Sequence, residues 1–262
     1  ADSFNNYFEP EVLEDAMAVL EATGCRVIPQ HLLANGSQPL CCGRSALASG
    51  DVAKAQAQLQ RMLDALAPWI EAGAWLVGVE PSCLLTMRDE LQAMRLSEKH
   101  GVLAKQLAPR AQLFAEFLEQ EFMQGRIESL LKPFDGQQAG RDRQQVLVHG
   151  HCHQKAFDAF SPSVRLLERM PGLQTRVIQS SCCGMAGAFG YDAKKWMFPW
   201  RWPRRICCLR FVRPLPRLGS LQMVRVVDTR SLTVQGVRRF TLQAWWRGAW
   251  VYTNENDLYI DI

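Results

Sequence analysis

Leu40-Cys41-Cys42-Gly43-Arg44 and Ser181-Cys182-Cys183-Gly184-Met185 carry the same Cys-Cys-Gly tripeptide. Adjacent cysteines in a chain without secretory features are poor disulfide partners and good soft ligands for iron–sulfur or zinc. Each pair has a companion. Cys83 follows the first copy, in Glu80-Pro81-Ser82-Cys83. Cys152 precedes the second, in His149-Gly150-His151-Cys152-His153-Gln154-Lys155. Two related halves, each with part of a metal site, are the reading this pattern invites.

The segments around these motifs alternate between helix and strand. Val12, Leu13, Ala16, Val19 and Leu20 recur at helical spacing after Pro10, and Gly24 ends the pattern. Cys25 to Pro29 reads as a short strand, with Cys25 a buried thiol inside it. Val52, Ala55, Leu59, Met62, Leu63, Leu66 and Ile70 mark one face of a long helix over 51–72. Pro68 is expected to kink that helix or end its regular part near Ala67. Ala74 to Val79 is an apolar run suited to a buried parallel strand, and Cys83 stands just past it. Residues 84–135 read as amphipathic helices, with Leu103, Leu107, Leu113, Phe114 and Phe117 as core. A strand over 145–149, a helix near 161–170 and a strand over 175–179 complete the second half. Cysteine groups then follow strand ends, where open α/β sheets place ligand sites. The expected fold is α/β: two Rossmann-like βαβ repeats with parallel strands and sites near their junction.

Composition narrows the function classes. The chain has 262 residues, is 48% apolar and holds nine cysteines, which favours a reducing compartment and metal or redox use. No signal peptide and no run of 18 apolar residues stand in it. The expected location is cytoplasmic, with peripheral attachment at the inner membrane compatible. The chain begins with Ala1 and reads as a piece of a longer polypeptide. No paired carboxylates or Ser-His-Asp pattern demand hydrolysis, and no catalytic residue is assigned. Charge is uneven: residues 1–193 hold 17 Lys and Arg against 22 Asp and Glu, residues 194–262 hold 13 against 4, and six of eight tryptophans lie in that tail.

At these motifs the chain resembles the cysteine-rich CCG domain of iron–sulfur subunits in glycolate and lactate oxidation and of heterodisulfide reductase. It is most similar to the C-terminal region of bacterial FAD-linked oxidases. Asp2-Ser3-Phe4-Asn5-Asn6-Tyr7-Phe8, Leu40 to Arg44, Gly78 to Cys83, His149 to His153 and Cys182 to Gly187 carry the likeness, over residues 1–193. The resemblance implies an electron-transfer domain of an FAD-linked dehydrogenase that oxidises a 2-hydroxy acid of the glycolate, lactate or 2-hydroxyglutarate type. It implies an iron–sulfur cluster of the 4Fe-4S type held by Cys41, Cys42, Cys83, Cys152, Cys182 and Cys183. FAD would lie in another domain or subunit, and a quinone or carrier would accept the electrons. The family's repeats carry an upstream Cys and a downstream Cys-x-x-Cys. This chain has Asp2 and Asn5 at the upstream place and Cys83 alone downstream. His151 and His153 are further candidates to ligate or to hydrogen-bond sulfur, and Arg44 and Lys155 to offset cluster charge. Zinc held by the same thiolates, in a structural or assembly module, is the alternative.

The likeness stops after Ala193, where composition also changes. Reading the third base of each codon with the first two of the next turns Trp196-Met197 into Asp and Met197-Phe198 into Val. With permitted synonymous codons, Trp196 to Arg213 opens into an amphipathic helix. Leu221 to Val234 yields a cysteine across the Val226 and Val227 codons. That cysteine falls 43 positions after Cys183, against 41 between Cys42 and Cys83. A one-base frame slip near Lys195 is the expectation, leaving a poorly packing tail, accidental Cys207 and Cys208, a basic charge unrelated to nucleic acid, and an inactive product as a third reading. The domain plan is then 1–100 as first repeat, 101–144 as helical connector, 145–193 as truncated second repeat and 194–262 as shifted tail.

Overall fold

The computed structural model describes residues 2–7, 10–29, 39–131 and 144–179, with the backbone of 251–254 and 257–261. They fall in two compact units, one up to residue 131 and one from residue 144.

The first unit begins with α1 (Ser3–Tyr7) and α2 (Pro10–Ala22), followed by α3 (Arg44–Ala48) and α4 (Val52–Glu71). Helix α4 is the spine. The Asp51 carboxylate caps it by accepting the Lys54 N–H at 3.1 Å. Leu59, Leu63, Leu66 and Ile70 bury one face, each contributing about 1.5–3 kcal/mol of transfer free energy. The helix runs through Pro68 to Glu71, so the expected break is absent. Next come β1 (Leu76–Gly78), α5 (Pro81–Arg88), α6 (Glu90–Ala93), α7 (Glu98–Leu107), β2 (Ala111–Leu113) and α8 (Phe114–Met123). Strands β1 and β2 pair in parallel, Val77 opposite Gln112. The intervening helices make this a βαβ unit, because parallel neighbours need a crossover.

Strand β2 corrects the all-helical reading of 84–135; its three residues are too few to show an alternation. Arg88 fixes it: Nε and Nη2 donate to the Ala111 carbonyl at 2.9 and 2.7 Å, and the guanidinium also pairs with Glu116. Leu103, Leu107, Leu113, Phe114 and Phe117 are buried as expected. Residues 25–29 form no strand. Cys25 is partly exposed, and its sulfur accepts the Thr23 hydroxyl at 3.2 Å.

The second unit holds β3 (Gln144–His149), α9 (Cys152–Ala156), α10 (Ser161–Arg169) and β4 (Leu173–Val177), with β3 and β4 parallel. It repeats the βαβ plan, so the α/β class with parallel strands holds in both units. Strand β4 starts two residues before its expected place. Strands β5 (Val251–Asn254) and β6 (Asp257–Asp261) extend the sheet in the order β4-β3-β6-β5, β6 parallel to β3. These strands were not foreseen in a tail read as poorly packing. β-Branched and aromatic residues in both, Val251, Tyr252, Thr253, Tyr259 and Ile260, suit a pleated ladder. Among the described residues no helix is long and apolar enough to cross a membrane.

Candidate metal centre

The first site is built where β1 ends. Past Gly78 the chain turns into α5, with Pro81 in its first turn, where a missing N–H costs nothing. The Glu80 carboxylate caps that turn, accepting the Ser82 N–H at 3.1 Å and the Ser82 hydroxyl. Cys83 is thereby fixed in the first turn of α5. The Cys-Cys-Gly segment arrives from the other side. Gly43 has φ +77°, and a Cβ there would stand 2.9 Å from the Ala55 carbonyl oxygen of α4. Glycine is required on both counts. The close approach seats Cys42 in the apolar cluster of Leu59, Met62 and Leu63, with Cys83 packed against its side.

These constraints bring three sulfurs together. The Cys42 thiol is in hydrogen-bond contact with both Cys41 and Cys83. The contact with Cys41 lowers its pKa. The contact with Cys83 and burial outweigh that effect, and Cys42 is pushed up to about 12. Cys41 lies above the ordinary thiol range through its contact with Cys42 and then burial, opposed by the Gly43 N–H and the Arg61 charge. The Gly43 N–H donates to the Cys41 sulfur at 3.5 Å, and the Arg44 N–H donates to Cys42. Metal-free, Cys41 and Cys42 keep their protons at neutral pH, and a soft cation would displace them. Three soft donors with N–H groups aimed at sulfur fit an iron–sulfur cluster or zinc in kind. Among the described residues no group of three or more His, Cys, Asp and Glu is already set to hold a metal. The contacts run Cys41–Cys42–Cys83 as a chain, so a fourth donor is needed for a four-ligand site.

The second unit places Cys152 as its counterpart, at the start of α9 just past β3. Gly150 makes this turn possible: a Cβ would meet the Phe160 ring at 2.6 Å. His151 caps α9, its Nδ1 accepting the His153 N–H at 3.2 Å, while the Gln154 side chain accepts the His151 N–H at 3.1 Å. The His151 and His153 rings stack with centroids 5.3 Å apart. Lys155 Nζ lies 3.0 Å from Nε2 of His149, which is buried. Cys182 and Cys183, like Cys207 and Cys208, lie outside the described residues.

The other candidates are accounted for by local contacts. Arg44 forms an ion pair with Glu90. Asp2 accepts Asn5 N at 3.0 Å and Asn5 Nδ2 at 2.6 Å, capping α1 and satisfying a buried Asn5. Its charge also reaches Glu80, so this segment does lie toward the first site. Three participants were not foreseen: Glu80, Arg61 and His149. An acid before Pro-Ser was a legible cap signal for Glu80. Arg61 and His149 carried no local signal.

Residues 3–88 match the family model described as "CCG: Cysteine-rich domain". Over this segment the chain resembles a cysteine-rich CCG domain. Relatives share it at low identity. The chain is 28% identical over 194 residues to one subunit of the anaerobic glycerol-3-phosphate dehydrogenase of Escherichia coli (strain K12), covering 74% of this chain and 44% of the relative. It is 25% identical over 186 residues to lactate utilization protein A of Bacillus velezensis, covering 70% and 69%. It is 26% identical over 196 residues to D-2-hydroxyglutarate dehydrogenase of Haemophilus influenzae, covering 74% and 17%. The chain thus spans less than half of the first and third of these relatives.

Proposed function

We propose that this chain is the iron–sulfur electron-transfer part of a flavin-linked dehydrogenase acting on a 2-hydroxy acid. The observation that supports it is the meeting of the Cys41, Cys42 and Cys83 thiols at the end of β1, inside the segment that resembles the CCG domain. Cys41, Cys42 and Cys83 are the metal ligands offered by the first half, and Cys152, Cys182 and Cys183 those offered by the second. The three relatives are a dehydrogenase subunit, a lactate utilization protein and a 2-hydroxyglutarate dehydrogenase. A bound cluster would supply one-electron chemistry, dividing the two-electron oxidation of a reduced flavin into single steps. The chain's own residues do the rest. Thiolates anchor, the Gly43 and Arg44 N–H groups stabilise charge on sulfur, and the α4 leucines exclude water. FAD sits in a separate domain or subunit, and a quinone or carrier receives the electrons.

The domain plan belongs to the same proposal: repeats at 1–100 and 145–193, a connector at 101–144, and a tail after Lys195 that reads in a shifted frame. Similarity to the relatives over 186–196 residues supports a native stretch of about that length. The test is anaerobic mixing of the iron-and-sulfide-reconstituted chain with photoreduced flavin. Bleaching of the visible absorption, with one electron per cluster, is expected. A chain that takes up only zinc and leaves the flavin reduced contradicts the proposal.

A further inference from the structure

Two of the three thiols at the end of β1 stand on constrained backbone. Gly43, in the left-handed region and pressed on the Ala55 carbonyl, fixes Cys42 from one side. The Glu80 cap on Ser82 fixes Cys83 in the first turn of α5. The Cys42 and Cys83 sulfurs are in hydrogen-bond contact. Cys42 lies inside the apolar cluster of α4, and Cys83 packs against it. Forty-one positions separate the two in sequence, so the contact is a product of the fold. Two thiols held in contact need little movement to become a disulfide, whose Cβ atoms stand about 3.5–4.5 Å apart. Cys41 also touches Cys42, but neighbours in sequence are poor partners. Their Cα atoms are about 3.8 Å apart across a trans peptide, short of the ~4.4 Å lower limit of ordinary disulfides. Exposure orders the remaining pair. Cys42 is buried and keeps its proton, whereas Cys83 is partly exposed, so an oxidant reaches Cys83 first.

We propose that Cys42 and Cys83 form a reversible disulfide when the site holds no metal, and that this bond closes the first half of the metal centre to loading. The oxidant is a peroxide. The Cys83 sulfur gives up its proton and attacks one peroxide oxygen, the O–O bond breaks, and a sulfenic acid and one water result. The Cys42 thiol then attacks the Cys83 sulfur. The S–S bond forms, the S–O bond breaks, and a second water leaves with the Cys42 proton. Two thiols and one hydrogen peroxide thus become one disulfide and two waters, and a thiol reductant reverses the change by exchange. With two sulfurs in the bond, Cys41 alone remains of the three donors. The gate rests on the ligand reading proposed above, whereas the disulfide rests on the thiol contact. The full chain, reduced and stripped of metal with a chelator, is treated with hydrogen peroxide, alkylated with iodoacetamide and digested without reduction for peptide mass spectrometry. A linked Cys42–Cys83 peptide is expected as the main product from the folded chain, giving way to mixed pairings in urea. Cys41→Ser retains it. Cd2+ is expected to protect Cys41 from iodoacetamide in the reduced chain, to lose that effect in the oxidised chain and to regain it after dithiothreitol. A folded chain that yields Cys41–Cys42 or sulfinic acids in place of the linked peptide overturns the proposal. The linked peptide with unchanged Cd2+ protection of Cys41 overturns the gate and upholds the disulfide. No protection of Cys41 in the reduced chain overturns the ligand reading and the gate together, while the linked peptide still decides the disulfide.

Discussion

At the residue scale the account turns on two glycines and one carboxyl group. Gly43→Ala would place a methyl carbon against the Ala55 carbonyl and force a side chain into the left-handed region. The expected loss is about 1–3 kcal/mol from backbone strain, more with the contact. Urea unfolding would read this, and Gly24→Ala, which meets nothing within 4 Å, is the control for strain alone. Glu80 gives a pH prediction. Burial raises its pKa above the usual carboxylate value, opposed by the bonds from Ser82, while the Asp2 charge raises it further. A group raised in the folded state contributes stability below its unfolded pKa and loses it as pH rises through the folded one. Wild-type melting should therefore fall relative to Glu80→Gln as pH rises above the usual carboxylate range, since Gln keeps the cap acceptor without the buried charge. Parallel melting curves across that rise would refute the assignment.

At the element scale, α4 carries the site, because Leu59, Met62, Leu63, Leu66 and Ile70 all belong to the buried cluster that holds Cys42. Leu59→Ala is expected to cost about 2–5 kcal/mol, and Asp51→Ala about 0.5–2 kcal/mol by removing the cap. Both should loosen Cys42, seen as faster hydrogen exchange at Gly43 and Arg44. Unchanged exchange at these amides would separate the site from the helix. The long periodic element was legible for the same reason it dominates the packing: α4 repeats its apolar residues along its whole length. Short strands were not. β2 has three residues and depends on Arg88 for its placement, a contact 23 residues distant. Residues 25–29 have strand-like composition yet gain no ladder partner. Pro68 does not end the helix, and the buried Leu66 and Ile70 beside it pack against the core.

At the scale of the whole molecule, the repeated plan is the informative feature. Cys83 and Cys152 each enter the first turn of a helix just past a parallel strand, although the two segments share little sequence. The meeting of Cys41, Cys42 and Cys83 was legible because the Cys-Cys-Gly tripeptide is a specific signal, while Cys182 and Cys183 lie outside the described residues. The participation of His149 and Arg61 was not, because it depends on tertiary placement. The tail makes a prediction of its own. On the proposed frame slip, correcting the frame near Lys195 would restore a downstream cysteine to the second half, so the corrected chain should bind more iron per chain than this one. Coding DNA that reads in frame through 194–262, matched by tail peptides in native protein, would refute the slip.

The most direct test is anaerobic reconstitution with iron and sulfide of this chain, its Cys42→Ser variant and the frame-corrected chain, read by visible absorption and electron paramagnetic resonance. The account predicts a reducible iron–sulfur signal in the wild type, its weakening in Cys42→Ser and its increase in the corrected chain. Colourless protein in all three, each holding zinc at the thiols, would contradict it.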